Sequence, residues 1–191
     1  NYGQENIMPS LLSNKQTSLY EQARYTVLNN GQPIPDKNVT DIELAINELR
    51  TNPTFAGDAG FSRSMEVSPH GYMHDLIGGD LADSSESFFN EIYQLNNYSG
   101  LMANVPSAGF DPVFWLHHSM VDRVWESWDV SPYGQRPTLA QLEKYPWQYE
   151  FIEPNGEKVT YTVKQMYDVV FNLDYKYSDL LYTTDDELIA S

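Results

Sequence analysis

Apolar positions recur at helical spacing in several stretches of the chain. Over residues 16–29 (QTSLYEQARYTVLN), Leu19, Ala23 and Val27 share one face, which predicts an amphipathic helix ending at Asn30-Gly31. A second helix is predicted to begin at Thr40 or Asp41, either able to cap it, and to run through DIELAINELR to the stop at Thr51-Asn52-Pro53. Residues 54–67 are rich in glycine and serine and read as loop. Ser68-Pro69 opens a short helix that Gly78-Gly79 closes, and residues 84–95 read as another, capped by Asp83 or Ser84. Asp111-Pro112 repeats the cap-then-proline arrangement and starts the strongest helix, from Pro112 to about Trp128. On it Phe114, His118, Val121, Trp125 and Trp128 form one stripe, with Val113, His117, Met120 and Val124 beside it. Residues 138–144 read as a short helix, 151–163 as a β-hairpin around Pro154-Asn155-Gly156, and 164–171 as a last helical turn or two. The pattern predicts a mainly α domain with a few short β-strands over residues 1–177, then an acidic tail, 178–191, with no partner face.

Composition narrows the function classes. The 191 residues suffice for one substantial core and are short for two. Asp and Glu number 27 against 11 Lys and Arg, a formal net charge of -16, so a nucleic-acid partner and a polybasic hold on an anionic membrane are both excluded. No apolar run approaches the roughly 18 residues of a membrane span, and NYGQENIMPS has no signal-peptide pattern. With no cysteine, disulfides and thiolate chemistry are excluded. Two sequons, Asn38-Val39-Thr40 and Asn97-Tyr98-Ser99, favour a secreted glycoprotein.

The candidate chemistry lies in the four histidines, His70, His74, His117 and His118. His70 and His74 are one helical turn apart, so both imidazoles reach one point. An isolated HxxxH is more often a solvated pair than a ligand pair. His117 and His118, however, both lie in the apolar arc of the strongest helix, and together the two motifs point to a convergent three-imidazole metal site. Neutral imidazoles without thiolate suit copper and also zinc. Phe110, Phe114 and Trp115 would surround the site and exclude water, although core packing explains each ring taken singly.

Residues 111–125, DPVFWLHHSMVDRVW, resemble the copper B signature of the type 3 copper proteins, the family of tyrosinases, catechol oxidases, polyphenol oxidases and molluscan-type hemocyanins. Ser68-Pro69-His70-Gly71-Tyr72-Met73-His74 resembles the upstream part of that half-site, and Tyr175-Lys176-Tyr177 the tyrosine motif that closes the catalytic core. The resemblance implies a helical-bundle core with His70, His74 and His118 as the copper B ligands. It places His117 behind them as a neighbour of the ligands. It makes Val105 the residue overhanging the entrance and Glu66 the carboxylate that holds a water near the site. Asp111 would act chiefly as a helix cap, and Asp122 and Arg123 would form ion pairs supporting the copper helix.

Two departures qualify what the resemblance implies. Gly71 stands where many monophenol-hydroxylating members carry asparagine, which favours o-diphenols over monophenols. A dicopper centre needs six histidines and the chain has four, so a copper A half is expected on a second polypeptide, a cleavage fragment or a separate subunit, with the acidic tail a cut linker. The expectation is a copper-dependent oxidoreductase chain, holding one copper and facing a second on its partner, that oxidises a small phenol to the o-quinone with O2. The alternatives are a hemocyanin-type oxygen carrier and a lone three-histidine module.

Overall fold

The computed structural model describes residues 12–21, 24, 34–78, 100–135, 137–144, 146–172 and 176–182. Helix α1 (Asp36–Leu49) starts directly after Pro35, whose φ of -55° suits a helix entry, and Asp36 sits in the favourable first turn. It therefore begins before the Thr40 or Asp41 cap expected from sequence. Helix α2 (Phe61–Met65) replaces part of the loop predicted over 54–67. Its first amides need no side-chain cap, because Phe61 and Ser62 donate to the carbonyls of Thr54 and Phe55, each at 2.9 Å. A π-helical stretch (Glu66–Gly71) follows, broken at Ser68 (φ -159°, ψ 128°). Helix α3 (Tyr72–Gly78) continues from it, as Ser68-Pro69 predicted.

Two short 3-10 turns (Leu101–Ala103 and Ala108–Phe110) lead into α4 (Val113–Asp129), the longest described helix. Helix α5 (Leu139–Leu142) has a capping box between Thr138 and Gln141. Strands β1 (Gln148–Ile152) and β2 (Lys158–Thr162) pair antiparallel, Phe151 opposite Val159. Pro154-Asn155-Gly156 lies in their turn, where Gly156 takes φ 86°, so the hairpin begins earlier than the predicted 151. Helix α6 (Val163–Asn172) ends the regular structure. The helix predicted over 16–29 is not formed in its described part. Asn14 accepts the Gln16 amide on Oδ1 and the Thr17 hydroxyl on its carbonyl, both at 3.0 Å, and this side-chain turn replaces the helix start. The helix predicted over 84–95 and the sequon Asn97 lie outside the described residues.

Two apolar clusters share α4. At its C-terminal half, Ile46 and Leu49 of α1, Phe61 and Met65 of α2, and Val124 and Trp128 of α4 pack with Tyr182. Phe61 stacks on Trp128 at 4.6 Å. At its N-terminal half, Val113 packs with Leu12, Ile77, Met102 and Ala108. Asp111 pins the start of α4: Oδ1 accepts the Val113 amide at 2.9 Å, and both carboxylate oxygens accept Arg24, at 2.5 and 2.8 Å. Neither side chain of this ion pair is exposed.

The segment 177–182 also departs from expectation. Far from lacking a partner face, it lies along α4 and α1: Leu181 donates its amide to Ser127 Oγ at 3.0 Å, and the buried Tyr182 donates its hydroxyl to the Ile46 carbonyl at 2.6 Å. Tyr182 thereby joins the apolar cluster at the C-terminal half of α4, with Leu181 packed against it.

Candidate metal centre

Close backbone packing brings the two histidine motifs together. Gly78 lets the turn Leu101–Ala103 close onto α3, since a Cβ there would collide with Ala103, and the Gly100 amide bonds the Gly78 carbonyl at 2.7 Å. Val113 anchors the start of α4 in the same cluster as Ile77 of α3. One ring nitrogen from each of His70, His74 and His118 consequently lies within 4.8 Å of the other two, a separation that one ion can bridge. The centroid distances are 4.7 Å for His70–His74, 5.1 Å for His70–His118 and 5.6 Å for His74–His118. No other such group occurs among the described residues.

Each ring is oriented differently. His74 Nδ1–H donates to the Met102 carbonyl at 2.7 Å, leaving the Nε2 lone pair free, an arrangement common among metal-bound imidazoles. His118 packs on Phe114, centroids 4.1 Å apart. His70 has Glu66 Oε2 3.2 Å from Nδ1, a charge contact without hydrogen-bond alignment. Both nitrogens of His70 and Nε2 of His118 are buried without a hydrogen-bond partner. Burial first, then the neighbouring imidazoles, pushes the pKa of His118 below its usual value; burial does the same for His70 against the opposing pull of Glu66. Neutral rings with orphaned lone pairs are what a metal ion requires, because no proton competes for the nitrogen. The residues fit copper, and the all-nitrogen donor set suits zinc as well.

The other candidates fall into three groups. His117 is 9% exposed, lies against all three rings, and has its pKa pushed down to about 3 by burial and then by His74, His70 and His118. Its Nε2 also lacks a partner, but its nitrogens do not join the converging set. Gly71 closes the π-helical stretch; a Cβ there would come 2.9 Å from the Glu66 carbonyl, so the backbone itself resists a larger residue. Val105 stands 92% exposed in the loop before α4. Of the three aromatics expected around the site only Phe114 meets the imidazoles; Phe110 and Trp115 face outward, 79% and 65% exposed.

Asp122 and Arg123 act on α4 through the segment 177–182. Asp122 Oδ2 accepts the Tyr177 hydroxyl at 2.6 Å, and Arg123 pairs with Asp179 at 2.7 Å. Asn38 is held within α1, its amide donating to the Tyr72 hydroxyl at 2.6 Å, so the nitrogen a glycan would need is engaged. Sequence reasoning missed two contributors. The Met102 carbonyl carries no side-chain signature, and the partner of Asp111 is Arg24, which lies 87 positions away.

The family model for the common central domain of tyrosinase matches residues 3–131. Among curated proteins, a chloroplastic polyphenol oxidase of Spinacia oleracea is 40% identical over 146 residues, covering 75% of this chain and 20% of its own length. A chloroplastic polyphenol oxidase of Malus domestica is 32% identical over 131 residues, 68% of this chain and 19% of the relative. A G-type hemocyanin (units Oda to Odg) of Enteroctopus dofleini is 30% identical over 135 residues, 59% of this chain and 5% of the relative. The chain spans about a fifth or less of the length of these relatives. No solved structure gives a significant match.

Proposed function

The chain belongs to the tyrosinase family, and on that premise we propose that it is the copper B-bearing part of a dicopper oxidase converting o-diphenols to o-quinones with O2. The observation that carries this reading is the convergence of His70, His74 and His118, with ring nitrogens of His70 and His118 buried and unpartnered, in a site without thiolate. His70, His74 and His118 would hold one copper, and bound copper would supply reversible one-electron chemistry toward dioxygen and phenol. The remaining ligands would come from residues outside this sequence, which has only four histidines.

The protein's own residues prepare the site for a phenol. Phe114 gives an aromatic wall beside His74 and His118. Val105, small and 92% exposed, leaves the approach unblocked. Glu66, beside His70 yet 64% exposed, is placed to hold a water that takes up phenolic protons. Each o-diphenol gives up two electrons and two protons, and two oxidations reduce one O2 to two waters. Gly71 offers no side-chain amide to assist a base in deprotonating a monophenol, which directs the preference to o-diphenols.

Secretion and glycosylation rest on the sequons, with Asn97 the stronger candidate now that the Asn38 amide is engaged. Two plant relatives are named chloroplastic, and no described helix is long and apolar enough to cross a membrane. The hemocyanin relative favours one second reading, an oxygen carrier on the same ligands.

The test is copper loading and catechol oxidation by the chain combined with its copper A portion, against His118→Ala. We expect one copper per chain, lost in the variant, and oxidation only in the combined form. Undiminished oxidation by His118→Ala would overturn the assignment. Reversible oxygen binding without catechol turnover would select the carrier.

A further inference from the structure

The three converging rings are not equally anchored. His74 is fixed by the Met102 carbonyl and His118 by the face of Phe114. His70 lies in an irregular π-helical stretch, neither of its nitrogens is hydrogen-bonded, and its carboxylate neighbour Glu66 is 64% exposed. Three rings meet it, and one of them lies flat against it. The His117 ring lies parallel to His70, the planes 7° apart and the centroids 5.3 Å apart. The other two rings of the cluster meet His70 edge-on, at 80° and 75°. His117 is itself braced by the edges of His74 at 4.9 Å and His118 at 5.4 Å, and it is more than nine-tenths buried. Its Nε2 bonds nothing, its nitrogens stay out of the converging set, and a hydrogen bond ties it to the His70 backbone, so what it offers the His70 ring itself is a face.

We propose that His117 is a positioning residue, whose buried face sets the rotation of the His70 ring and thereby aims the His70 nitrogen at the metal. The inference rests on the metal-site reading above. It separates two roles that adjacent histidines on one helix could share: His118 gives a nitrogen, His117 gives a plane. Orienting neighbours of metal ligands typically contribute about 10–100-fold in metal affinity, and that is the size expected here.

The test uses the full chain with Cu(II) alone as probe, and compares His117→Phe with His117→Leu. Phenylalanine keeps a flat ring but cannot bind metal; leucine removes the plane. We expect His117→Phe to bind Cu(II) within about threefold of the unaltered chain, with the same Cu(II) paramagnetic resonance spectrum. We expect His117→Leu to bind about 10–100-fold more weakly with altered hyperfine splitting. The metal-free unfolding midpoint of each variant, measured in parallel, confirms that the comparison is between folded chains. Equal losses in both variants would assign the effect to a His117 nitrogen, as a ligand or through its hydrogen bond to the His70 backbone, and overturn the proposal, and so would unaltered binding by His117→Leu. His118→Ala separates the two levels of inference. If it binds Cu(II) like the unaltered chain, the metal-site reading falls and this inference with it. If it loses Cu(II) while His117→Leu does not, only the inference falls.

Discussion

The two halves of α4 are built to opposite ends. In the C-terminal half Val124, Ser127 and Trp128 are 1%, 0% and 0% exposed, and most of their polar atoms are partnered. Trp128 donates Nε1–H to the Asn52 carbonyl at 2.8 Å, while the Ser127 hydroxyl donates to the Arg123 carbonyl and accepts the Leu181 amide. Saturation is not complete even here, since Trp125 Nε1 is buried without a hydrogen-bond partner. In the N-terminal half Trp115 and Leu116 are 65% and 49% exposed, and His117 and His118 each keep an Nε2 buried and unpartnered. Buried polar atoms without partners are costly, so a helix carrying several of them must be held by contacts made elsewhere. The densely packed half is the scaffold, and the half whose unpartnered atoms are imidazole nitrogens is where chemistry can be added.

Acid should expose that difference most strongly. Burial holds the His117 pKa at about 3, against the ordinary imidazole value of 6.5. Below pH 6.5 the unfolded chain takes up a proton that the folded chain refuses until about pH 3, so stability is full above 6.5 and falls as the pH drops through that window. His70 and His118, shifted the same way, add to the effect. Urea unfolding of the metal-free chain between pH 7.5 and 5.5, above the usual carboxylate range, should show the midpoint falling with pH. A flat profile would mean that the imidazoles are not held neutral by the fold.

Trp128→Ala attacks the other half. The indole is fully buried, stacks on Phe61 at 4.6 Å and lies 6.1 Å from Phe55, so its removal leaves a large cavity. A loss of about 3–5 kcal/mol is expected by urea unfolding. At low temperature, where the variant is still folded, its Cu(II) affinity should stay within about twofold of the unaltered chain's, because no indole atom approaches the imidazoles. A parallel loss of affinity would show that the two halves are coupled and erase the contrast between them.

How much of this was legible depended on the range over which each feature is determined. Asp111-Pro112 announced α4, because capping is settled within a few residues, and α5 falls inside the stretch 138–144 read as a short helix. The placement of His70 and His74 also followed from local spacing. Features closed by distant atoms were not legible. Helix α2 forms inside a glycine- and serine-rich segment because Phe61 is buried against Trp128 and the Thr54 and Phe55 carbonyls take its first amides. The pairing of Arg24 with Asp111 joins residues that no periodicity connects. The docking of 177–182 reads as acidic tail in sequence because its contacts use main-chain groups and two tyrosine hydroxyls rather than an apolar stripe. Phe110 and Trp115, counted as part of the site for their chemistry, turn outward because their positions relative to Phe114 place them on another face.

The smallest expected effect tests how firmly that last segment belongs to the scaffold half. Arg123 reaches Asp179 twice, through Nε to the carbonyl at 3.0 Å and through Nη2 to the carboxylate at 2.7 Å. The Asp179 side chain is nevertheless 77% exposed, so water and salt screen the pair. Arg123→Ala should therefore cost less than about 1 kcal/mol of global stability, and the difference should shrink in high salt. Its local effect should be larger than its global one. The Leu181 amide, which donates to Ser127 Oγ, should exchange with solvent faster in the variant, while amides at the centre of α4 are unchanged. A global loss above about 2 kcal/mol would mean that the segment is part of the core, held as tightly as Trp128. In that case the buried Tyr182, rather than the exposed ion pair, would define where the scaffold ends.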